Sequence, residues 1–428
     1  VIVKIELINT GSELMLGRVL NSHQQWICRQ LADRGYVVDR QVAVSDAGPV
    51  IQASVREALE RADLVITTGG LGPTSDDLTR DLIARLLGRR LVEHPPSLEN
   101  IDRFFRARNR PMPPSTRVQA MVPEGATVLP NAFGTAPGLA FGLDTKRPGS
   151  SRPQWLILLP GPPRELHPMF RDQVVPILAR EFPLSDPFVC RTLRTTGLGE
   201  SMVEERVAGP LASRVASGLE LGYCARTGEV DVRLVARGPE ASRVVEEAER
   251  ICRELLRKHV FGVDDDSLEG VVVRLLTERG LSIGTAESCT GGYISHRITA
   301  VPGASAVFRG AVVAYHNDIK RQCLGVTESL LAEHGAVSEA CAKAMAEGAR
   351  RVLGVDFAIS VTGIAGPSGG SPEKPVGTVF LGLASPSGTT VLRQFNPFER
   401  ETFKFVTSQQ ALNLLRREVL EVSGAPVR

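Results

Sequence analysis

Short, unbroken apolar runs alternate along the first part of the chain with stretches whose apolar residues recur every three or four positions. Val3–Ile8 is the first run, and Asn9-Thr10-Gly11-Ser12-Glu13 breaks it. Asn21 or Ser22 then precedes a stretch carrying Trp26, Ile27 and Leu31 and ended by Gly35, a spacing that predicts a capped helix. Tyr36–Val44 and Asp63–Thr68 read as the second and third strands, with Ile51, Val55 and Leu59 on a helical face between them. A glycine-rich segment, GGLGPTSDD, follows the third strand, and Leu78, Leu82, Ile83 and Leu86 begin the next helix. Trp155–Leu159 reads as one more strand of the same sheet, after a polar loop or hairpin at Asp144–Pro153. Strands alternating with helices predict a parallel sheet covered on both faces, with ligands at the carboxyl ends of its strands.

The pattern changes at Phe182–Pro187 (FPLSDP), where two prolines flank polar residues. Beyond it, Val189–Thr195 reads as a strand, Gly199–Val207 as a helix, Tyr223–Thr227 and Val230–Ala236 as paired strands, and Glu240–Lys258 as a long helix. Asp264-Asp265-Asp266-Ser267 is a second link, with Ser267 as a helix N-cap. The last part holds a helix at Leu268–Arg279 and a short apolar strand at Leu281–Ala286. A strand at Gly310–Tyr315, a helix at Glu339–Leu353 and strands at Phe357–Val361 and Gly377–Ala384 follow, and a closing helix spans Thr402–Leu420. The expected organisation is α/β in three domains: a doubly wound domain at 1–182, a small α+β domain at 188–263 and a further α/β domain at 267–424.

Composition narrows the class. Of 428 residues, 43% are hydrophobic and 23% charged, as in ordinary globular proteins. The net charge is +2, from 50 basic and 48 acidic residues, which does not suit bulk nucleic-acid or membrane-surface binding. The 7 cysteines are scattered with no CxxC pair, so reduced thiols in the cytoplasm are expected, without structural zinc. No apolar run is long enough to span a bilayer, and no signal peptide is visible.

Two loops carry candidate chemistry. Ser288-Cys289-Thr290-Gly291-Gly292 turns the chain from a buried strand into a helix bearing Ile294, Ile298 and Val301. A serine at such a junction faces helix N–H groups that favour developing negative charge, a plausible seat for a nucleophile with an oxyanion site. The alternative is that Ser288 or Thr290 only caps the helix. In the second loop, Gly69, Gly70 and Gly72 expose backbone donors to a phosphate, and Asp76 and Asp77 offer carboxylates to a hard divalent ion. Its alternative is a glycine turn in which an aspartate caps the next helix.

AESCTGG, AVVAYHNDIK (Ala311–Lys320), HGAVSE (His334–Glu339) and VTGIAGPSGGSPEKPVGTV (Val361–Val379) together resemble the CinA C-terminal domain, a PncC-type nicotinamide mononucleotide (NMN) deamidase. TTGGLGPTSDDLTRD, GSELMLG, NAFGTAPG and LLPGPPREL resemble the molybdopterin-binding (MoCF, MoaB/MogA-like) domain in its CinA form. Thr196-Gly197-Leu198-Gly199-Glu200 faintly resembles the GXXG loop of KH domains. The resemblance implies that Ser288 is the nucleophile and Lys320 its base, with Tyr315 assisting. It also implies that Cys289, Thr290, Gly291, Gly292, Asn317, Gly363 and Gly366 surround the oxyanion and substrate. In the first domain it implies a nucleotide site at Glu13, Asn21, Gly69, Gly70, Gly72 and Thr135, with Asp76 and Asp77 on the metal. The family pattern has serine where His316 stands, which leaves Tyr315, Asn317 and Lys320 in place.

The activity so implied is hydrolysis of the NMN carboxamide to nicotinic acid mononucleotide and ammonia, in pyridine nucleotide salvage and without a cofactor. A second activity, ADP-ribose pyrophosphatase dependent on magnesium or a similar divalent metal, would belong to the first domain. The competing reading is a competence- or damage-inducible regulatory protein, or a molybdopterin binder, without hydrolase activity. The expected partners are small nucleotides and a second copy of the chain, with no nucleic acid and no membrane.

Overall fold

The computed structural model describes residues 3–421. The chain forms two compact units that divide at Val189 and Cys190. The first is built on a six-stranded sheet in the order Val38–Val44, Ile5–Thr10, Leu64–Thr68, Gln154–Leu159, Gly138–Leu143, Thr127–Leu129. The first four strands run parallel. The last two are antiparallel, so the sheet is mixed where an all-parallel one was expected. The cause is the polar segment 144–153, which is too short for the crossover a parallel pair needs and returns the chain as a hairpin. Successive side chains of Ile5–Thr10 leave on opposite faces, Leu7 into one apolar cluster and Ile8 into the other.

The second unit contains two sheets. The smaller is ordered Glu220–Arg226, Glu229–Arg237, Phe188–Thr196, Val260–Val263, with helices Glu200–Ala216 and Ala241–Leu256 packed together beside it. The larger is ordered Phe308–Val313, Ile283–Glu287, Phe357–Gly363, Thr378–Ser385, Gly388–Phe395. Its first three strands are parallel and its last two antiparallel. The edge strand Gly388–Phe395 has no apolar run in its sequence, because an edge is only half covered. Helix Glu339–Leu353 covers one face through Cys341, Met345, Ala346 and Ala349. Helix Arg400–Glu421 covers the other through Phe403, Leu412, Leu415 and Val419. Gly382 permits the first of these contacts, since a Cβ there would lie 2.7 Å from the Ala342 carbonyl oxygen.

Strand order reverses in both large sheets, between Ile5–Thr10 and Leu64–Thr68 and between Ile283–Glu287 and Phe357–Gly363. The two candidate loops leave the carboxyl ends of these strands, where the crevice of an open α/β sheet lies. Among the described residues no helix is long and apolar enough to cross a membrane.

Candidate active site

Strand Ile283–Glu287 ends in a buried carboxylate, and its next residue is the candidate nucleophile. Glu287 is 0% exposed. Its oxygens accept from Gly292 N (2.9 Å), Ile294 N (3.1 Å) and Ser295 N (2.9 Å), and from the Ser295 hydroxyl (2.5 Å). These are the first donors of helix Tyr293–Thr299, the groups expected to face an oxyanion. The expectation is corrected here: Glu287 occupies them, so Gly292 has no N–H left for a ligand, and Gly291 N is taken by the Ser288 carbonyl. Both glycines adopt positive φ, +62° and +97°, which lets the chain turn back onto the carboxylate. With Glu287 as the cap, neither Ser288 nor Thr290 serves that purpose, since the helix has no side-chain cap at its N-cap residue.

Ser288 is thereby free for another partner. Its N–H is fixed by the Val361 carbonyl, and its Oγ lies 3.2 Å from Lys320 Nζ. Lys320 is 1% exposed. Its amine reaches the carbonyl oxygens of Ala314 (2.8 Å) and Tyr315 (3.3 Å), and among the described residues it forms no ion pair. Desolvation therefore holds its pKa below the ordinary lysine value, with minor opposition from the nearby Cys341 and Cys289 thiols. Two carbonyls can take the two N–H groups of a neutral amine and leave its lone pair for the serine hydroxyl.

The strand expected to run through Tyr315 stops at Val313, and Lys320 stands on a helix, Asn317–Leu324. His316 is the N-cap of that helix, its Nδ1 accepting from Asp318 N, and it is exposed. Asn317 opens the same helix with an exposed side chain that hydrogen-bonds nothing among the described residues. Tyr315 is 60% exposed, and its hydroxyl accepts from Arg400 Nη2 at 2.6 Å. Arg400 Nη1 also donates to the Gly366 carbonyl at 2.9 Å. The glycine loop thus turns a carbonyl toward a guanidinium at Gly366. Gly363 ends the strand and packs closely on its neighbour, where a Cβ would meet the Thr378 carbonyl oxygen at 2.8 Å.

What remains for an oxyanion is the turn itself. The N–H groups of Cys289 and Thr290 find no acceptor in another residue among those described, and the buried Thr290 Oγ1 has no partner. Cys289 packs in the apolar core, and burial pushes its thiol up to about 12. Glu287 and Arg400 were missed from sequence. An acidic residue ending an apolar strand could have flagged Glu287, whereas Arg400 lies 85 residues from Tyr315 with no local signal.

The glycine loop of the first unit opens on a cavity of about 590 Å³. Glu13, Asn21, Gly69, Gly70, Gly72, Asp76, Asp77 and Thr135 all line it. Asp46, Glu165 and Gln119, absent from the sequence reading, line it as well. The wall holds five carboxylates and no lysine or arginine. Asp77 accepts from Thr74 N at 3.0 Å and from the Thr74 hydroxyl. Gln119 Oε1 is buried without a partner. The carboxylate oxygens fit a hard divalent ion such as magnesium, and the His23 imidazole stands in the same wall. No group of three or more His, Cys, Asp or Glu among the described residues converges to hold an ion alone, so ligand phosphates and water would complete the shell.

Three family models match successive stretches of the chain. A "probable molybdopterin binding domain" covers residues 6–180, a "damage-inducible protein CinA KH domain" 190–262 and the "CinA C-terminal domain" 265–419. A CinA-like protein of Akkermansia muciniphila is 44% identical over 411 residues, 96% of each chain. A CinA-like protein of Dictyoglomus turgidum is 40% identical over 423 residues, 98% of this chain and all of that one. Among solved structures, a competence/damage inducible protein of Agrobacterium tumefaciens is 40% identical, covering 35% of this chain and 94% of its own, with a TM-score of 0.33.

Proposed function

Because the chain belongs to the CinA family, we propose that its last domain is a serine amidohydrolase that deamidates NMN, giving nicotinic acid mononucleotide and ammonia. The observation that carries this reading is Lys320 Nζ, buried without an ion-pair partner among the described residues, at 3.2 Å from Ser288 Oγ. Ser288 Oγ attacks the carboxamide carbon while its proton passes to Lys320 Nζ. The carbonyl oxygen becomes the oxyanion and takes the N–H groups of Cys289 and Thr290. Lys320 then returns the proton to the departing amine, the C–N bond breaks and ammonia leaves. Water attacks the acyl ester with Lys320 again as base, and Ser288 is regenerated with the carboxylate product. Arg400 holds the Tyr315 hydroxyl and the Gly366 loop together and lays a fixed cation beside the crevice, suited to the mononucleotide phosphate.

The test is ammonia release from NMN by the purified full chain in the presence of a chelator. Stoichiometric ammonia and nicotinic acid mononucleotide are expected, and an inactive wild-type protein overturns the reading.

A second reading concerns the first unit, and its acidic cavity favours it. Five carboxylates without a lysine or arginine repel a diphosphate unless a cation intervenes. Asp76 and Asp77 would hold a divalent ion there, which would neutralise and polarise the phosphoryl oxygens. Asn21, Thr135 and the N–H groups of Gly70 and Gly72 would orient the ligand, consistent with metal-dependent ADP-ribose hydrolysis, whereas the Gly69 N–H is held by the Leu159 carbonyl. Screening the protein against ADP-ribose with and without magnesium tests this. Binding of molybdopterin without hydrolysis of ADP-ribose would favour the non-hydrolytic alternative.

A further inference from the structure

The C-terminal helix Arg400–Glu421 touches the candidate amide site at one end and the middle domain further along. Arg400, in its first turn, carries the contacts to Tyr315 and Gly366. About two and a half turns later, on the 3.6-residue repeat, comes Gln409. Its Oε1 accepts from Arg297 Nη2 at 2.7 Å, and its Nε2 donates to Glu229 Oε1 at 2.7 Å. Arg297 stands near the end of helix Tyr293–Thr299, whose first donors are held by Glu287 beside Ser288. It also donates to the Ser408 hydroxyl (2.8 Å) and to Glu269 (2.6 Å). On the other side, the second oxygen of Glu229 accepts from Arg194 Nη2 at 2.6 Å.

Gln409 is 1% exposed, and Arg297, Glu229 and Arg194 are buried with it. A neutral amide between a guanidinium and a carboxylate satisfies both, carbonyl toward the cation and amide N–H toward the anion. A glutamate here would oppose the Glu229 carboxylate, and an apolar residue would remove one hydrogen-bond partner from each of two buried charges, leaving Arg297 to Glu269 and Ser408 and leaving Glu229 to Arg194. Gly228, at the hairpin tip beside Glu229, has a φ of +74°, the left-handed conformation that turns the hairpin next to Gln409. The GXXG-like loop Thr196–Gly199 faces the same helix across a cavity of about 370 Å³ lined also by Val406, Gln410 and Asn413.

We propose that Gln409 is a positioning residue through which the middle domain sets the geometry of the Ser288 turn. It ties the middle domain to the helix that follows the nucleophile and fixes the helix that carries Arg400. The consequence for turnover rests on the amide-hydrolysis reading, while the physical link does not.

The test uses the full chain with Gln409→Met, close to glutamine in shape but without its hydrogen bonds, and with Glu229→Ala in the other domain. Hydrogen exchange is followed in residues 288–299, and kcat and KM are measured for NMN. Both variants are expected to exchange faster in that segment and to lose about tenfold in kcat with KM within twofold, because small misplacements of reacting atoms cost rate more than binding. Where Glu229→Ala fails to fold by circular dichroism, Gln409→Met alone decides. Unchanged exchange at 288–299 in a folded variant overturns the link, and faster exchange with an unchanged kcat overturns its control of the Ser288 geometry. A wild-type protein that releases no ammonia sinks the amide reading, and the exchange comparison still decides the link.

Discussion

Lys320 Nζ and Ser288 Oγ meet at 3.2 Å across 32 residues of sequence, and the buried lysine forms no ion pair among the described residues. A buried amine in that setting favours its neutral form, and only the neutral form can accept the serine proton. Lys320→Arg should therefore lower kcat for NMN by about 100-fold or more, the usual contribution of a general base, because guanidinium stays protonated. Ser288→Ala should remove turnover while NMN still binds. Near-normal ammonia release by Lys320→Arg would remove the lysine from the mechanism.

The same ionisation sets a pH profile. Protonated Lys320 cannot act as a base, so the rate should rise with pH through a single pKa below the ordinary 10.5. Stability should follow in the same window. Between the lowered folded value and 10.5 the unfolded lysine binds a proton that the native one does not, so the native state gains stability as pH rises and levels off above 10.5. Lys320→Met should lose this slope in urea melts taken across that range.

Glu287 predicts a stability effect distinct from chemistry. Glu287→Ala leaves buried helix N–H groups without an acceptor, and at about 1–3 kcal/mol for each unsatisfied donor the native state should lose roughly 3 kcal/mol or more. Denaturant unfolding measures this, and a loss below about 1 kcal/mol would mean that water replaces the carboxylate at those donors.

Arg400→Lys should raise KM for NMN and lower kcat/KM about tenfold, because one ammonium cannot span the Tyr315 hydroxyl and the Gly366 carbonyl as a guanidinium fork does. Tyr315→Phe should have the smaller effect, since it removes only one of the two contacts. Equal loss in both would assign the phenol a direct part in proton transfer.

In the first unit, Asp76→Asn and Asp77→Ala should each abolish any magnesium-dependent hydrolysis of ADP-ribose and leave ammonia release from NMN at the wild-type rate. Parallel loss of both activities would contradict two independent sites.

Much of this was legible from residue order because it depends on local pattern. The buried runs Ile5–Thr10, Leu64–Thr68 and Phe357–Gly363 could hardly be other than central strands, and Ser288 and the Gly69–Asp77 loop follow such strands directly. The hairpin at 144–153 was also visible, although the mixed sheet it produces was not inferred. Tertiary structure decided the rest, for one physical reason: hydrogen bonds and burial depend on what arrives from distant parts of the chain. Only packing shows that Glu287 occupies the helix donors and frees Ser288. Apart from the family resemblance nothing local marks Lys320, and a short helix turns it into the core. Arg400 and Gln409 have no signature at all, because their partners lie 85 and 180 residues away. Residue types along the chain determined which groups could do the chemistry, and the fold decided which of them meet and which are buried away from water.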